Sequence, residues 1–297
     1  MASATADCPV CGSVSVQEYG RRKLWSLTKC SQCDSVYRTV FPTQDELDEI
    51  YGSDYYDSWN IEANAESFWQ MKIKNSTSYL KALDKYLPIR QDRTLLDVGC
   101  AHGFMLESAS QLGYVPSGLE ISPAGDMARE RGFHVVASNL EDRPFPPESF
   151  DVVTMIDVIE HLTDPLEALR CVYTMLKPEG IVFVVTPDIG SLSARIMRST
   201  WPHYLPEHLI YYSPSSLQTL FDRTGLDVMK IGPGYKYLTI NYILGHLRSS
   251  LGGLIPRVVW SMANVLPSPF TGKPLRYRTE MIAVGRKRTS DLIATQD

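Results

Sequence analysis

The stretch Leu95-Leu96-Asp97-Val98-Gly99-Cys100-Ala101-His102-Gly103 decides how this chain is read. A short apolar run carries an acidic residue near its end, passes through a turn of small residues, and leads into a helical segment at 103–112 that Gly113 closes. Small residues let a backbone approach a bound molecule closely. A helix start offers unpaired N–H groups to an anion. A dinucleotide-type turn requires glycine at its first, third and sixth positions, here 99, 101 and 104. Gly99 meets that requirement, but Ala101 and Phe104 do not. The bulk of Phe104 would also crowd the helix–strand contact.

Outward from this turn, strands and helices alternate. Strand-like segments lie at 115–121, 133–138, 150–156, 180–187, 226–232 and 279–287. Helical ones begin at Pro123, Pro165 and Pro214 and end near 132, 176 and 224. The run 150–156 is almost continuously apolar, as suits a central parallel strand. The pattern predicts an α/β fold, a doubly wound, seven-stranded, mostly parallel sheet. Further towards the N-terminus, helical stretches are expected near 43–51, opened by a Thr43/Glu46 capping box, and near 64–87.

The 297 residues are 44% hydrophobic and 21% charged, which excludes global disorder. No apolar run reaches the ~18 residues of a membrane span. The opening MASATADCPVCG has neither a basic nor an apolar leader region, so a cytoplasmic protein is expected. The net charge of −5 is uneven: +2 over 1–40, −13 over 41–230 and +6 over 231–297. The acidic middle argues against broad nucleic-acid binding. The basic, apolar end leaves room for an anionic partner or a membrane surface.

Cys8, Cys11, Cys30 and Cys33 are spaced C-x2-C-x18-C-x2-C. That spacing predicts a zinc ribbon in which four thiolates hold Zn²⁺. With every position filled by sulfur the site is closed and structural, and it would staple a module too small to build its own core. Arg21, Arg22, Lys23 and Trp25 form either a nucleic-acid contact or an exposed charged hairpin.

The turn D-x-G-x-A-x-G resembles the first motif of the class I S-adenosylmethionine (SAM) methyltransferases. Five further blocks follow in that family's order: Glu120 at the end of the second strand, Asn139-Leu140 after the third, 143–162 around the fourth, 176–187 at the fifth, and 206–228 thereafter. The resemblance implies a SAM site made of Asp97, Gly99, Cys100, Ala101, Gly103, Phe104, Glu120, Ile121, Asn139, Leu140 and Asp157. In it Glu120 takes the ribose hydroxyls, and Asn139 and Leu140 meet the adenine. It also implies a methyltransferase of class EC 2.1.1.-. The segment Asp157-Val158-Ile159-Glu160-His161 is similar to the E-x-x-E-H element of ubiquinone-biosynthesis O-methyltransferases and small-RNA 2′-O-methyltransferases. There a divalent metal lowers a hydroxyl's pKa. Asp157 replaces the first Glu, and in the wider family that position touches the methionine end of SAM instead. His161, Glu160 and His208 are therefore the candidate catalytic residues, with or without a catalytic metal. His102 is read as a SAM-side or surface residue, and Cys100 as cofactor packing.

The expected organisation is a zinc ribbon at 1–40, a helical linker and lid at 41–90, the SAM-binding core at 91–235, a helical insertion at 236–275, and the last strand and tail at 276–297. Tyr55, Tyr56 and Trp59 serve as lid or as ribbon packing. Trp201-Pro202-His203-Tyr204 serves as acceptor pocket or as loop packing. The insertion, with Arg248 and Arg257, is a cap, a homodimer interface, a peripheral membrane contact or a plain extension. The ribbon pattern resembles modules of sugar, polysaccharide and secondary-metabolite methyltransferases, and less closely those of zinc-ribbon rRNA methyltransferases. Three readings follow: O-methylation of a small-molecule acceptor, rRNA base methylation, and a SAM-binding adaptor without catalysis.

Overall fold

The computed structural model describes residues 7–22, 25–50, 66–88, 91–239 and 275–288. Five parallel strands form the middle of a seven-stranded sheet: β4 (Thr94–Val98), β5 (Val115–Leu119), β6 (His134–Val136), β7 (Phe150–Ile156) and β8 (Leu176–Pro187). They lie in the order β6-β5-β4-β7-β8. The antiparallel hairpin of β10 (Leu226–Leu238) and β11 (Leu275–Lys287) extends the sheet beyond β8, with β10 at the edge. The fold is the α/β, mostly parallel sheet expected from the alternation. Because β4 is followed by β5 on one side and β7 on the other, the chain reverses direction across the sheet there. In open sheets of this kind the ligand crevice lies outside the carboxyl ends of the strands at such a reversal, here β4, β5 and β7.

Both faces are covered, which explains the nearly continuous apolar run of β7. One face packs α2 (Glu66–Leu83) and α3 (Phe104–Gln111) over Leu95, Val152, Phe183 and Val185. The other packs α5 (Pro165–Met175) and α7 (Pro214–Thr224) over Leu96, Val153, Val182 and Val184. The short helices α4 (Ala124–Glu130) and α6 (Leu192–Met197) follow β5 and β8. The leading helix α1 (Gln44–Ile50) starts at the expected box: the Thr43 N–H donates to Glu46 Oε2 at 2.7 Å, and the Glu46 N–H to Thr43 Oγ1 at 3.3 Å.

The cysteine module is a small antiparallel sheet of β1 (Val16–Arg22), β2 (Trp25–Cys30) and β3 (Val36–Arg38). It does not stand apart. The two-residue strand β9 (Ile210–Tyr211), after β8 in the chain, pairs with β3 through Val36–Tyr211 and Tyr37–Ile210.

Strand β10 runs six residues past the expected end at 232. Gly232, Pro233 and Gly234 look like a terminator, but β10 is an edge strand, where the missing N–H of proline costs nothing. Bulges between Val228 and Lys230 and between Gly234 and Lys236 carry the chain through. Asn75 of α2 then clamps the strand: the Tyr237 N–H donates to Asn75 Oδ1 at 2.6 Å, and Asn75 Nδ2 donates to the Tyr237 carbonyl at 2.8 Å. Most of the 236–275 insertion, with Arg248 and Arg257, lies outside the described residues, as do Tyr55, Tyr56 and Trp59. Among the described residues no helix is long and apolar enough to cross a membrane.

Candidate active site

The glycine turn follows β4 directly. Gly99 has φ +69° and Gly103 φ +82°, a region where L side chains are strained. A Cβ on Gly99 would sit 2.7 Å from Val158 Cγ2, and one on Gly103 would sit 2.9 Å from Ala128 Cβ. Ala101 also takes a left-handed conformation, φ +44°. The Glu120 carboxylate pins the turn, accepting from the Ala101 N–H at 3.0 Å and the Ser122 N–H at 2.9 Å. Next to Glu120, Ile121 is 66% exposed, an apolar side chain presented at the strand end. Asn139 and Leu140 start the turn after β6, with Asn139 exposed and Leu140 buried.

Asp97 is buried and accepts from Thr154 Oγ1 at 2.6 Å. Burial and the nearby Glu120 charge push its carboxyl up to about 7, against the pull of the Thr154 hydroxyl. The Cys100 side chain fills the space over Gly118, where a Cβ would lie 2.5 Å from the sulfur. Phe104 packs under Phe68 and Trp69 of α2. His102 is buried rather than on the surface: burial, with a smaller push from Lys72, holds its imidazole below the usual value.

Asp157 follows directly after β7 with φ +55°. Burial raises its carboxyl, but Lys236 Nζ of β10, 2.6 Å from Oδ2, outweighs that and holds it below the usual range. The same ammonium lies 3.3 Å from Glu280 Oε1 of β11. Three residues later, Glu160 is buried with one oxygen accepting from Thr186 Oγ1 at 2.9 Å. Its other oxygen is buried without a hydrogen-bond partner. Burial, reinforced by the Asp157 charge, pushes this carboxyl well up. His161 and His208 meet edge to face, ring centroids 4.9 Å apart, and His208 Nδ1 is likewise buried without a partner. Burial holds His161 down to about 4 and His208 well below its ordinary value, so both imidazoles are neutral at pH 7. Ligand atoms of Glu160, His161 and His208 all lie within 4.8 Å of one another. The three candidate catalytic residues therefore converge, although 47 positions separate His161 from His208.

Residues 71–231, over half of the chain, match the family model described as a methyltransferase domain. The chain belongs to that family. This methyltransferase is 26% identical over 212 residues to the ubiquinone biosynthesis O-methyltransferase of Aeromonas salmonicida, covering 62% of this chain and 87% of that one. It is 32% identical over 169 residues to the enzyme of the same name from Aliivibrio fischeri, covering 52% and 72%. Its fold is like that of a SAM-dependent methyltransferase of Thermotoga maritima, with a TM-score of 0.53 at 18% identity over 83% of this chain and 100% of that chain. It is a SAM-dependent methyltransferase of class I.

The four cysteines of the methyltransferase also gather. Sulfurs of Cys8 and Cys33 are 3.6 Å apart, and those of Cys11 and Cys30 are 3.5 Å apart. Four sulfurs about 2.3 Å from one tetrahedral zinc would be about 3.8 Å from each other. The cluster fits zinc.

Sequence reasoning missed Thr154, Thr186, Lys236 and Glu280. The first two are ordinary strand residues, and only their register places them beside buried carboxylates. Glu280 left a faint signal as the single acidic residue between 231 and 290. Trp201 and Tyr204 pack with Trp25, Leu27 and Val36 of the ribbon, while the ring of His203 stacks 6.5 Å from His208.

Proposed function

We propose that this methyltransferase methylates a hydroxyl oxygen of a small-molecule acceptor, with His161 and His208 beside the reacting oxygen. The observation that carries this is the pair of neutral imidazoles, buried His208 against half-buried His161, beside buried Glu160 past the carboxyl end of β7. Bound SAM supplies an electrophilic methyl group on a sulfonium. The chain's part is to align the acceptor oxygen with that carbon and to take its proton. A neutral imidazole does so near pH 7, whereas one already protonated does not. The names of the relatives support oxygen as the acceptor atom.

In this reading the crevice residues hold SAM. Glu120 keeps lone pairs for the ribose hydroxyls, since backbone N–H groups use only part of its accepting capacity. Ile121, Asn139 and Leu140 flank the adenine. Gly99, Ala101 and Gly103 bring the backbone close, and Asp97 and Asp157 face the methionine end. Cys100 and Phe104 contribute through backbone, because their side chains are spent on packing. With isotopically labelled SAM and a panel of phenols, catechols and sugars, His161→Asn and His208→Asn should each lower kcat by ~10²–10⁴. SAM affinity measured by calorimetry should change less than threefold. Undiminished turnover in both variants would remove the base assignment.

A divalent metal at Glu160, His161 and His208 is a second reading. It is favoured by two buried atoms without hydrogen-bond partners, Glu160 Oε1 and His208 Nδ1, in one cluster with half-buried His161. Such an ion would supply Lewis acidity to the hydroxyl. Turnover lost to EDTA and restored by added Mg²⁺ or Zn²⁺ supports it; turnover unaffected by the chelator excludes it.

A further inference from the structure

We propose that the cysteine ribbon positions the acceptor side of the active site, fixing Glu160 and His208 through the loop between α6 and β9. This rests on reading Glu160, His161 and His208 as acceptor-side groups.

From Trp201 to Leu209 the chain has no strand or α-helix, only local turns such as the His208 N–H to the Leu205 carbonyl at 3.2 Å, so contacts from outside the loop complete its support. The ribbon supplies them on both sides of His208. The Arg38 N–H donates to the Leu209 carbonyl at 2.9 Å, and Arg38 Nη1 donates to the Pro206 carbonyl at 2.9 Å. The Leu209 N–H in turn donates to the Glu160 carbonyl at 2.8 Å. One residue of β3 is thus two hydrogen bonds from the Glu160 backbone and brackets His208.

Three more ties hold the ribbon to this region. Ser215 Oγ donates to the Cys33 carbonyl at 3.1 Å, Ser213 Oγ to the same carbonyl at 3.4 Å, and Arg223 Nη1 to the Val10 carbonyl at 2.6 Å. Cys33 and Val10 both lie in the cysteine loops, so the docking surface is the part of the ribbon that a bound zinc would fix. The SAM crevice is held otherwise: Asp97 by Thr154, Gly99 by the Leu119 carbonyl, and Ala101 by Glu120. Losing the ribbon metal should therefore disorder the acceptor side while sparing the cofactor side.

Hydrogen exchange on the full chain, before and after zinc is stripped by a chelator, tests this. Peptides covering 158–162 and 205–212 should exchange at least tenfold faster, while those covering 94–103 stay protected and SAM affinity changes less than threefold. In histidine-labelled protein the His208 resonance should move while that of the exposed His134 does not. Arg38→Ala keeps all four cysteines and any metal at Glu160. It should retain full zinc content yet speed exchange of 205–212 by about threefold or more. Unchanged exchange of 205–212 in Arg38→Ala overturns the proposal. So does an equal loss of protection at 94–103 on stripping, which would make the ribbon a general stabiliser. Either result leaves the base assignment to be judged by the histidine variants.

Discussion

Asp97 sits in the crevice with the Thr154 hydroxyl on one oxygen and Glu120 nearby, and burial lifts its carboxyl from the usual 3.8 to about 7. In the unfolded chain it titrates near 4. The folded chain therefore holds this proton over pH 4–7 while the unfolded chain does not. Its stabilising contribution is complete below pH 4 and is lost as pH rises through 7. In the SAM-free protein, Asp97→Asn should flatten the fall of Tm between pH 4 and 7, as read by scanning calorimetry across that range. A Tm profile parallel to that of the unaltered chain would show that Asp97 ionises as an ordinary carboxylate. At this scale the sequence was informative where geometry leaves no choice. Gly99 and Gly103 are glycines because each has positive φ and a neighbour under 3 Å from any Cβ. It was silent on Thr154, since nothing in FDVVTMI marks which residue lies opposite Asp97 in register.

Among the elements, the β10–β11 hairpin carries the most chemistry beyond the parallel strands. Lys236 of β10 spans Asp157 and Glu280, two carboxylates from β7's end and from β11, and is itself mostly buried. Removing one partner from a buried pair leaves charge uncompensated and costs about 3 kcal/mol or more. Lys236→Met should lower urea-unfolding stability by about that amount. Lys236→Met combined with Glu280→Gln should recover part of it, because one of the stranded charges is gone. A double variant as unstable as the single one would show that the Glu280 arm contributes nothing. The strands flanking the glycine turn were readable because apolar runs of four to seven residues between glycines and prolines have few other uses. The far half of β10 was not, because Pro233 breaks a central strand but not an edge one, and only the sheet order shows which it is.

For the molecule as a whole, the decisive contact joins the ribbon to the core. Tyr37 is fully buried in that contact, and its hydroxyl has no hydrogen-bond partner. Tyr37→Phe should be neutral or slightly stabilising, since it removes an unsatisfied polar group. Tyr37→Ala should cost about 3–5 kcal/mol through the cavity it leaves, with the loss visible in chemical unfolding. Equal effects of the two substitutions would mean the hydroxyl, not the ring, holds the contact. The sheet class, the glycine turn and the four-cysteine cluster were all legible in the amino-acid order. Each depends on local chemistry: which residues tolerate positive φ, which alternate in burial, which sulfurs are close enough in sequence to share an ion. The tertiary structure alone decided that His208 meets His161 and Glu160, that Lys236 crosses to Asp157, and that β3 pairs with β9. These groups are 47 to 175 positions apart, and only the order and register of the strands bring them together.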